Sequence, residues 1–233
     1  MGFLAERAVD AVEEMDRPDC DERKLARTYR QFPLINWAVS GWQGVYRRQL
    51  RPLLRPDGPN TLLDIGSGGG DIPRAIAKWA ARDGIPLEIT AIDPDERAHA
   101  FALSRPKVEN LVFRRALGSE LVAQGRTFDL VTSNHLLHHL DAAQLPALLS
   151  DSQQLCRRAA MHNDIRRSPL AYALFSVGTL PFFPGSYIRR DGLTSIRRSY
   201  TFSELQQLAP PRWTVSTKRP FHHLLTYRPQ SDA

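Results

Sequence analysis

Cysteine is nearly absent from this 233-residue chain. Cys20 and Cys156 stand far apart, with no CxxC pair and no metal-ligand spacing. A disulfide framework and a cysteine-based zinc site are therefore excluded, and no metal site is expected. Long apolar runs are missing too. The longest, residues 170–183, falls short of the roughly 20 residues that a bilayer span needs and is interrupted by Gly178 and Pro181. The first 19 residues alternate apolar and acidic side chains rather than setting a basic start before an apolar block, so no secretory signal is read there. A cytoplasmic location with reduced thiols is expected. There is no internal repeat and no low-complexity tract. With 42% hydrophobic and 24% charged residues, the composition excludes a disordered or collagenous chain and leaves a single globular domain.

Charge of one sign is scarce only locally. Residues 1–150 hold 19 Lys/Arg against 20 Asp/Glu, whereas residues 151–233 hold 12 against 5, so the net +6 comes from the final third. Four Arg pairs, at 157–158, 166–167, 189–190 and 197–198, carry most of it. They suit an anionic partner, and they suit equally a solvated Arg-rich surface.

Residues 3–54 show three- and four-residue apolar spacings broken near Pro18 and Pro33, which predicts an N-terminal helical appendage over 1–55. After the turn-forming run 55–60, short apolar runs alternate with amphipathic segments, the pattern of a parallel sheet covered by helices. Strands are expected at 61–65, 87–92, 108–113, 128–133 and 159–163. Helices are expected at 72–82, 94–104 and 142–157. Residues 166–199 break this rhythm as an irregular insert rich in Pro, Gly, aromatic and Arg residues. A helix capped by Thr201 or Ser203 and two strands, at 213–218 and 221–227, close the chain.

The strongest local signal is LLDIGSGGGD at 62–71, where an apolar strand runs into a glycine-rich turn and then a helix. Glycines there permit unusual backbone angles and let the main chain approach a ligand, while the helix N-terminus offers unpaired N–H groups. The dinucleotide pattern GxGxxG begun at Gly66 would need glycine where Asp71 stands. The run fits GxGxG preceded by the acid Asp64. A second strand ends in ITAIDP at 89–94, placing the Asp93 carboxylate where it can accept hydrogen bonds from two ribose hydroxyls. A third segment, TFDLVTSNHLLHHLD at 127–141, follows in order.

These three motifs together resemble the class I S-adenosylmethionine-dependent methyltransferases. The resemblance covers about residues 60–165 and implies an α/β fold: a Rossmann-like, seven-stranded, mostly parallel sheet with helices on both faces, carrying the 1–55 segment as a lid and the 166–199 insert as a cap on one domain. It implies S-adenosyl-L-methionine held by Asp64, Gly66, Ser67, Gly68, Gly70, Asp93, Pro94 and Asn134. Many relatives place an acid after the third strand to meet adenine; here that stretch reads RRALGS, so backbone groups near Ala116 and Leu117 are expected to serve instead.

Methyl transfer from a sulfonium asks chiefly for alignment and exclusion of water. A hydroxyl acceptor gains from a base, typically 10²- to 10⁴-fold, and histidine is suited to that task near neutrality. His139 and His162 are the catalytic candidates. His138, Tyr29, Asn36, Tyr172, Phe175 and Tyr187 are the candidate acceptor-pocket residues, with Phe182 and Phe183 among the insert's aromatics. His222 and His223, in the last hairpin, are given no catalytic part. An aromatic interior with an Arg rim suits a flat or lipophilic acceptor bearing an ionisable hydroxyl, such as a phenol, pyrone or quinone-like compound. Residues 29–37 and NDIRRSPLAY at 163–172 resemble a bacterial methyltransferase group of polyketide or phenolic-lipid biosynthesis. O-methylation in specialised metabolism is the leading expectation. A nucleic-acid methyltransferase and a non-catalytic donor-binding protein are the alternatives. Against the first stands SNHL at 133–136, where base-amine enzymes carry an Asn/Asp-Pro-Pro-aromatic tetrapeptide. A small-molecule partner is expected and a nucleic acid is not; peripheral contact with a membrane surface stays open, and the oligomeric state is not read.

Overall fold

A computed structural model describes residues 4–180 and 183–230. Pro181 and Phe182, named above, and the first three residues of the 1–55 segment lie outside the described residues.

The amino-terminal segment is built of several short pieces. A 3₁₀ turn at Glu14–Asp16 precedes α1 (Glu22–Val39). The Asp21 carboxylate caps α1 by accepting from the backbone N–H groups of Arg23 and Lys24. Contrary to expectation, α1 continues through Pro33, which cannot donate a backbone hydrogen bond and sets its ring against the preceding turn. Then α2 (Trp42–Val45) passes into a wider turn at Tyr46–Leu50 and a 3₁₀ turn at Arg51–Leu53.

From there strand and helix alternate: β1 (Thr61–Ile65), α3 (Asp71–Arg82), β2 (Glu88–Ile92), α4 (Glu96–Ser104), β3 (Leu111–Arg114), α5 (Gly118–Ala123), β4 (Phe128–Asn134), α6 (Gln144–Leu155) and β5 (Cys156–Ile165). Helix α5 was not anticipated, because its six residues are too short for a periodic signal. The insert is not irregular as expected. It holds α7 (Pro169–Gly178), capped by Ser168 with Pro169 in its first turn, and α8 (Ile188–Arg198). Helix α9 (Phe202–Leu208) follows, where Thr201 and Glu204 form a reciprocal capping box. The hairpin β6 (Trp213–Lys218) and β7 (His222–Tyr227) ends the chain.

The strands form one sheet in the order β3-β2-β1-β4-β5-β7-β6, parallel except where β7 runs antiparallel to β5 and β6. Both faces are covered, so the strands read as continuous apolar runs. On one face Leu62, Ile89, Leu130 and Met161 pack with Trp42 and Ile76. On the other, Leu63, Val131, Ala160 and Leu225 pack with Leu121, Leu149 and Leu205. The strand order reverses direction between β1 and β4, which opens a crevice at their carboxyl ends. Among the described residues no helix is long and apolar enough to cross a membrane.

Candidate active site

A cavity of about 790 Å³ occupies that crevice. Its floor is the glycine turn after β1. Gly66 and Gly68 both have positive φ, 69° and 51°, a region that L side chains reach only with strain. The N–H groups of Gly66 and Ser67 donate to the Ile92 carbonyl, and that of Gly68 donates to Asp93 Oδ2 at 2.8 Å. The turn is thus tied to the end of β2. A Cβ on Gly68 would meet nothing within 4 Å and would project into open space, so the main chain there is bare for a ligand. Gly70 differs: a Cβ would come within 2.5 Å of the Phe113 ring. Gly70 serves close packing of the turn against β3 and does not line the cavity.

Asp93 lines the cavity. Its oxygens accept from Gly68 N–H and from Asp95 N–H at 2.9 Å, and each keeps a further lone pair. The helix cap is Asp95, because α4 begins two residues later than expected, so Asp93 is not occupied with capping. Asp64, fully buried, accepts from the Thr132 hydroxyl at 2.8 Å, and desolvation pushes its carboxyl up to about 7. Ser67, Pro94 and Asn134 also line the cavity. Asn134 Oδ1 accepts from Trp42 Nε1 at 2.7 Å and from Asn163 Nδ2 at 3.0 Å, which locks its orientation. Ala116 and Leu117 lead from β3 into α5 outside the lining, contrary to the part expected of them.

The opposite end of the cavity is assembled from distant segments. His138 is fully buried in the turn after β4; its N–H donates to Asp164 Oδ2 and its Nδ1 pairs with Asp164 Oδ1, both at 2.7 Å. Its Nε2 lies 3.3 Å from Glu13 Oε1 yet makes no hydrogen bond. Burial opposes a charge on His138, but the two carboxylates prevail and raise its pKa to about 10. Burial likewise opposes ionisation of Glu13, and the two histidines with Ser195 override it, drawing the carboxyl down to about 2; Asp164 is lowered by the same pairing. His139 is only partly buried: its Nδ1 is 3.1 Å from Asp16 and its Nε2 is 3.8 Å from Glu13. Arg198 donates to the carbonyls of His138 and His139, and Arg7 to those of His138 and Leu140, fixing the turn. Asp191 of α8 accepts from the backbone N–H groups of Glu14 and Met15, which clips the amino-terminal segment to the insert.

Among the remaining candidates, Tyr29, Asn36 and Phe175 line the cavity. Tyr29 packs on Phe101 and Asn36 donates to Asp71 at 2.8 Å. Three candidates lie elsewhere. His162 is completely buried on the other face of the sheet, where its Nδ1 pairs with the Ser133 hydroxyl at 2.7 Å and its ring stacks on Trp213. It does not face the acceptor region, because alternation along β5 turns it to the α6 side. Tyr187 is a structural bolt whose hydroxyl accepts from Asp21 N–H at 2.8 Å, and Tyr172 is outside the lining.

Sequence reasoning missed Glu13, Asp16, Asp191 and His222 as lining residues. His222 sits on β7 and its Nε2 is 3.0 Å from Nε2 of His135, a residue held at positive φ. The only signal for Glu13 and Asp16 was the acidic alternation of the first 19 residues, read there solely as the absence of a leader.

Residues 62–159 match the family described as a methyltransferase domain. Within the chain that domain carries the glycine turn and the free Asp93 edge, and the seven-stranded sheet around it has the fold of the class I S-adenosylmethionine-dependent methyltransferases. Among solved structures its fold is similar to that of the plantazolicin methyltransferase BpumL in complex with SAH, at TM-score 0.65 and 15% identity over 93% of each chain. It is also similar to human N-acetylserotonin methyltransferase in complex with SAM, at TM-score 0.54 and 14% identity over 89% of this chain and 58% of that one. No curated protein sequence matches significantly.

Proposed function

We propose that the chain methylates a hydroxyl group on a small aromatic or lipophilic acceptor of the phenol, pyrone or quinone-like kind. The observation that carries the reading is a single cavity running from the Gly68–Asp93 edge to an apolar end bordered by Leu34, Ile35, Ile165, Leu174 and Phe175, with ionisable groups gathered on one wall. Its volume lies within the roughly 300–1,000 Å³ usual for small-molecule sites.

S-adenosyl-L-methionine supplies an electrophilic methyl group on a sulfonium. Gly66, Ser67 and Gly68 offer it bare main chain, Asp93 its two free lone pairs, and Asn134 a fixed amide. The amino-terminal segment 1–55 and the insert 166–199 act as lid and cap, joined through Asp191 and Tyr187. They shield the reacting atoms from water. His139 has a partly open side chain, and Asp16 orients its ring. It takes the part of base or orienting group: the acceptor oxygen gains the methyl as the sulfur–carbon bond breaks, and the hydroxyl proton goes to the imidazole in the first case and to water in the second.

Two neighbours add support at the level of chemistry. One is a plantazolicin methyltransferase and the other an N-acetylserotonin methyltransferase, so this fold carries methyl transfer to acceptors of that kind in proteins similar to this one. The test is incubation with methyl-labelled donor and a panel of phenols, pyrones and quinols. Label should appear as an ether on at least one. Tight donor binding with no transfer to any hydroxyl would reject the reading.

A further inference from the structure

We infer that Glu13, His138 and His139 form a binding site for one first-row divalent cation, of the zinc type, in the wall of the acceptor end. One ligand atom from each of the three residues lies within 4.8 Å of the other two. Two imidazoles and one carboxylate are a borderline-soft N,N,O donor set, which suits zinc, cobalt, iron or manganese rather than magnesium or calcium. Bonds of about 2.0 Å around a tetrahedral ion place neighbouring ligand atoms about 3.3 Å apart. The Glu13–His138 separation is 3.3 Å, and the Glu13–His139 separation of 3.8 Å closes with a small turn of a half-open side chain.

Two independent features point the same way. His138 is fully buried, yet its Nε2 has no hydrogen-bond partner and aims at Glu13 across the cavity wall. With Nδ1 given to Asp164, Nε2 can be joined to Glu13 either by a second proton on the ring or by a metal ion in that proton's place. The second feature is the outer ring of partners. A metal-ligating histidine commonly gives its other nitrogen to a carboxylate, which fixes tautomer and orientation. Both histidines here do so, His138 with Asp164 at 2.7 Å and His139 with Asp16 at 3.1 Å. The Ser195 hydroxyl donates to the prospective ligand oxygen of Glu13 at 2.7 Å and holds it in place.

An ion held by these three residues would keep a coordination position free, and all three line the cavity. An acceptor hydroxyl entering it would be oriented, and its pKa lowered so that its proton leaves to water on binding. His139 then acts through the cation rather than as the base. This use of the cation rests on the O-methyl-transfer reading; the binding itself does not.

The experiment titrates the chelator-stripped, full-length chain with Zn²⁺ by calorimetry and with Co²⁺ by visible absorption. One ion per chain is expected, with d–d bands of a nitrogen- and oxygen-ligated cobalt. His139→Ala should weaken binding by at least about tenfold, and Asp16→Ala by about tenfold through loss of the orienting carboxylate. His99→Ala, remote from the wall, should bind as the unaltered chain does. Circular dichroism and donor affinity establish that each variant is folded. Failure of the folded protein to bind either ion stoichiometrically, or equal affinity in His139→Ala, would overturn the site. Transfer to a hydroxyl that survives complete chelation would overturn the cation's part in the reaction while leaving O-methyl transfer standing. One ion bound in the expected manner, with no transfer to any acceptor, would uphold the site and count against O-methylation.

Discussion

The two ends of the cavity are built by different means. At the donor end, one turn does most of the positioning: residues 66–70 lie next to one another in the chain, and their ligand-facing groups are main chain, fixed by bonds to Ile92 and Asp93. At the acceptor end, Glu13, His138, Asp164 and Ser195 come from four separated segments, and every bond joining them has a side chain as at least one partner. A backbone-built site tolerates a lost side chain elsewhere. One built from mutually dependent charges fails as a unit, because each buried charge relies on its partner. The two ends should therefore respond differently to substitution.

The largest effect belongs to the acceptor end. Asp164→Ala leaves the His138 imidazole without its partner and the N–H groups of His138 and Ile165 without an acceptor. Removing one member of a buried pair costs about 3–5 kcal/mol, which urea denaturation should show as a lowered midpoint with little change in slope. A loss below about 1 kcal/mol would mean that the wall is not the interdependent unit described.

Asp64, at the donor end, offers the opposite electrostatic case. Its carboxyl is raised to about 7 by burial, so the folded state prefers the protonated form. The stability this lends is fully present below about pH 4 and is lost as pH climbs through about 7, with a total on the order of 4 kcal/mol. Asp64→Asn, neutral throughout, should lack that decline. The difference between the unfolding free energies of the two proteins should shift in favour of Asp64→Asn by that amount between pH 4 and 8, and parallel curves would refute the assignment.

Asp93→Ala should separate binding from folding. Two hydrogen bonds from ribose hydroxyls to a carboxylate are together worth about 3 kcal/mol, or roughly a hundredfold in S-adenosylhomocysteine affinity by calorimetry. Stability should change far less than in Asp164→Ala, since the groups freed are a loop N–H beside the cavity and the Asp95 N–H. An unchanged dissociation constant would remove Asp93 from the donor site.

What could be read from sequence follows the same division. The strand, turn and acid of β1 and β2 are local, and a ligand that needs close backbone approach leaves glycine where it must. The sheet was legible because strands buried on both faces are continuous apolar runs. Helices α7 and α8 were hidden by an insert dense in Gly, Pro and aromatics, where Ser168-Pro169 was a start signal left unused. His162 was assigned to the cavity from its place at the end of β5, but only the register settles which face a strand residue takes, and a shift by one position reverses it. Glu13 carried no local signal beyond the acidic alternation of the first 19 residues. Its meaning arises from an arrangement that brings residue 13 against residues 138, 139 and 195.

Within the glycine turn itself, two neighbouring positions should part ways. Gly68 and Gly70 share positive φ, so an alanine at either carries a backbone cost of about 1–2 kcal/mol. At Gly70 the new methyl group also drives into the Phe113 ring, and such overpacking adds about 1–3 kcal/mol. At Gly68 it meets no protein atom and instead occupies the space over which the donor lies. Gly70→Ala should thus show the greater loss of stability and Gly68→Ala the greater loss of donor affinity, measured on the same two proteins by denaturation and calorimetry. If Gly68→Ala binds S-adenosylhomocysteine as tightly as the unaltered chain, the ligand does not rest against the bare main chain of this turn, and the contrast between a backbone-built end and a side-chain-built end loses its basis.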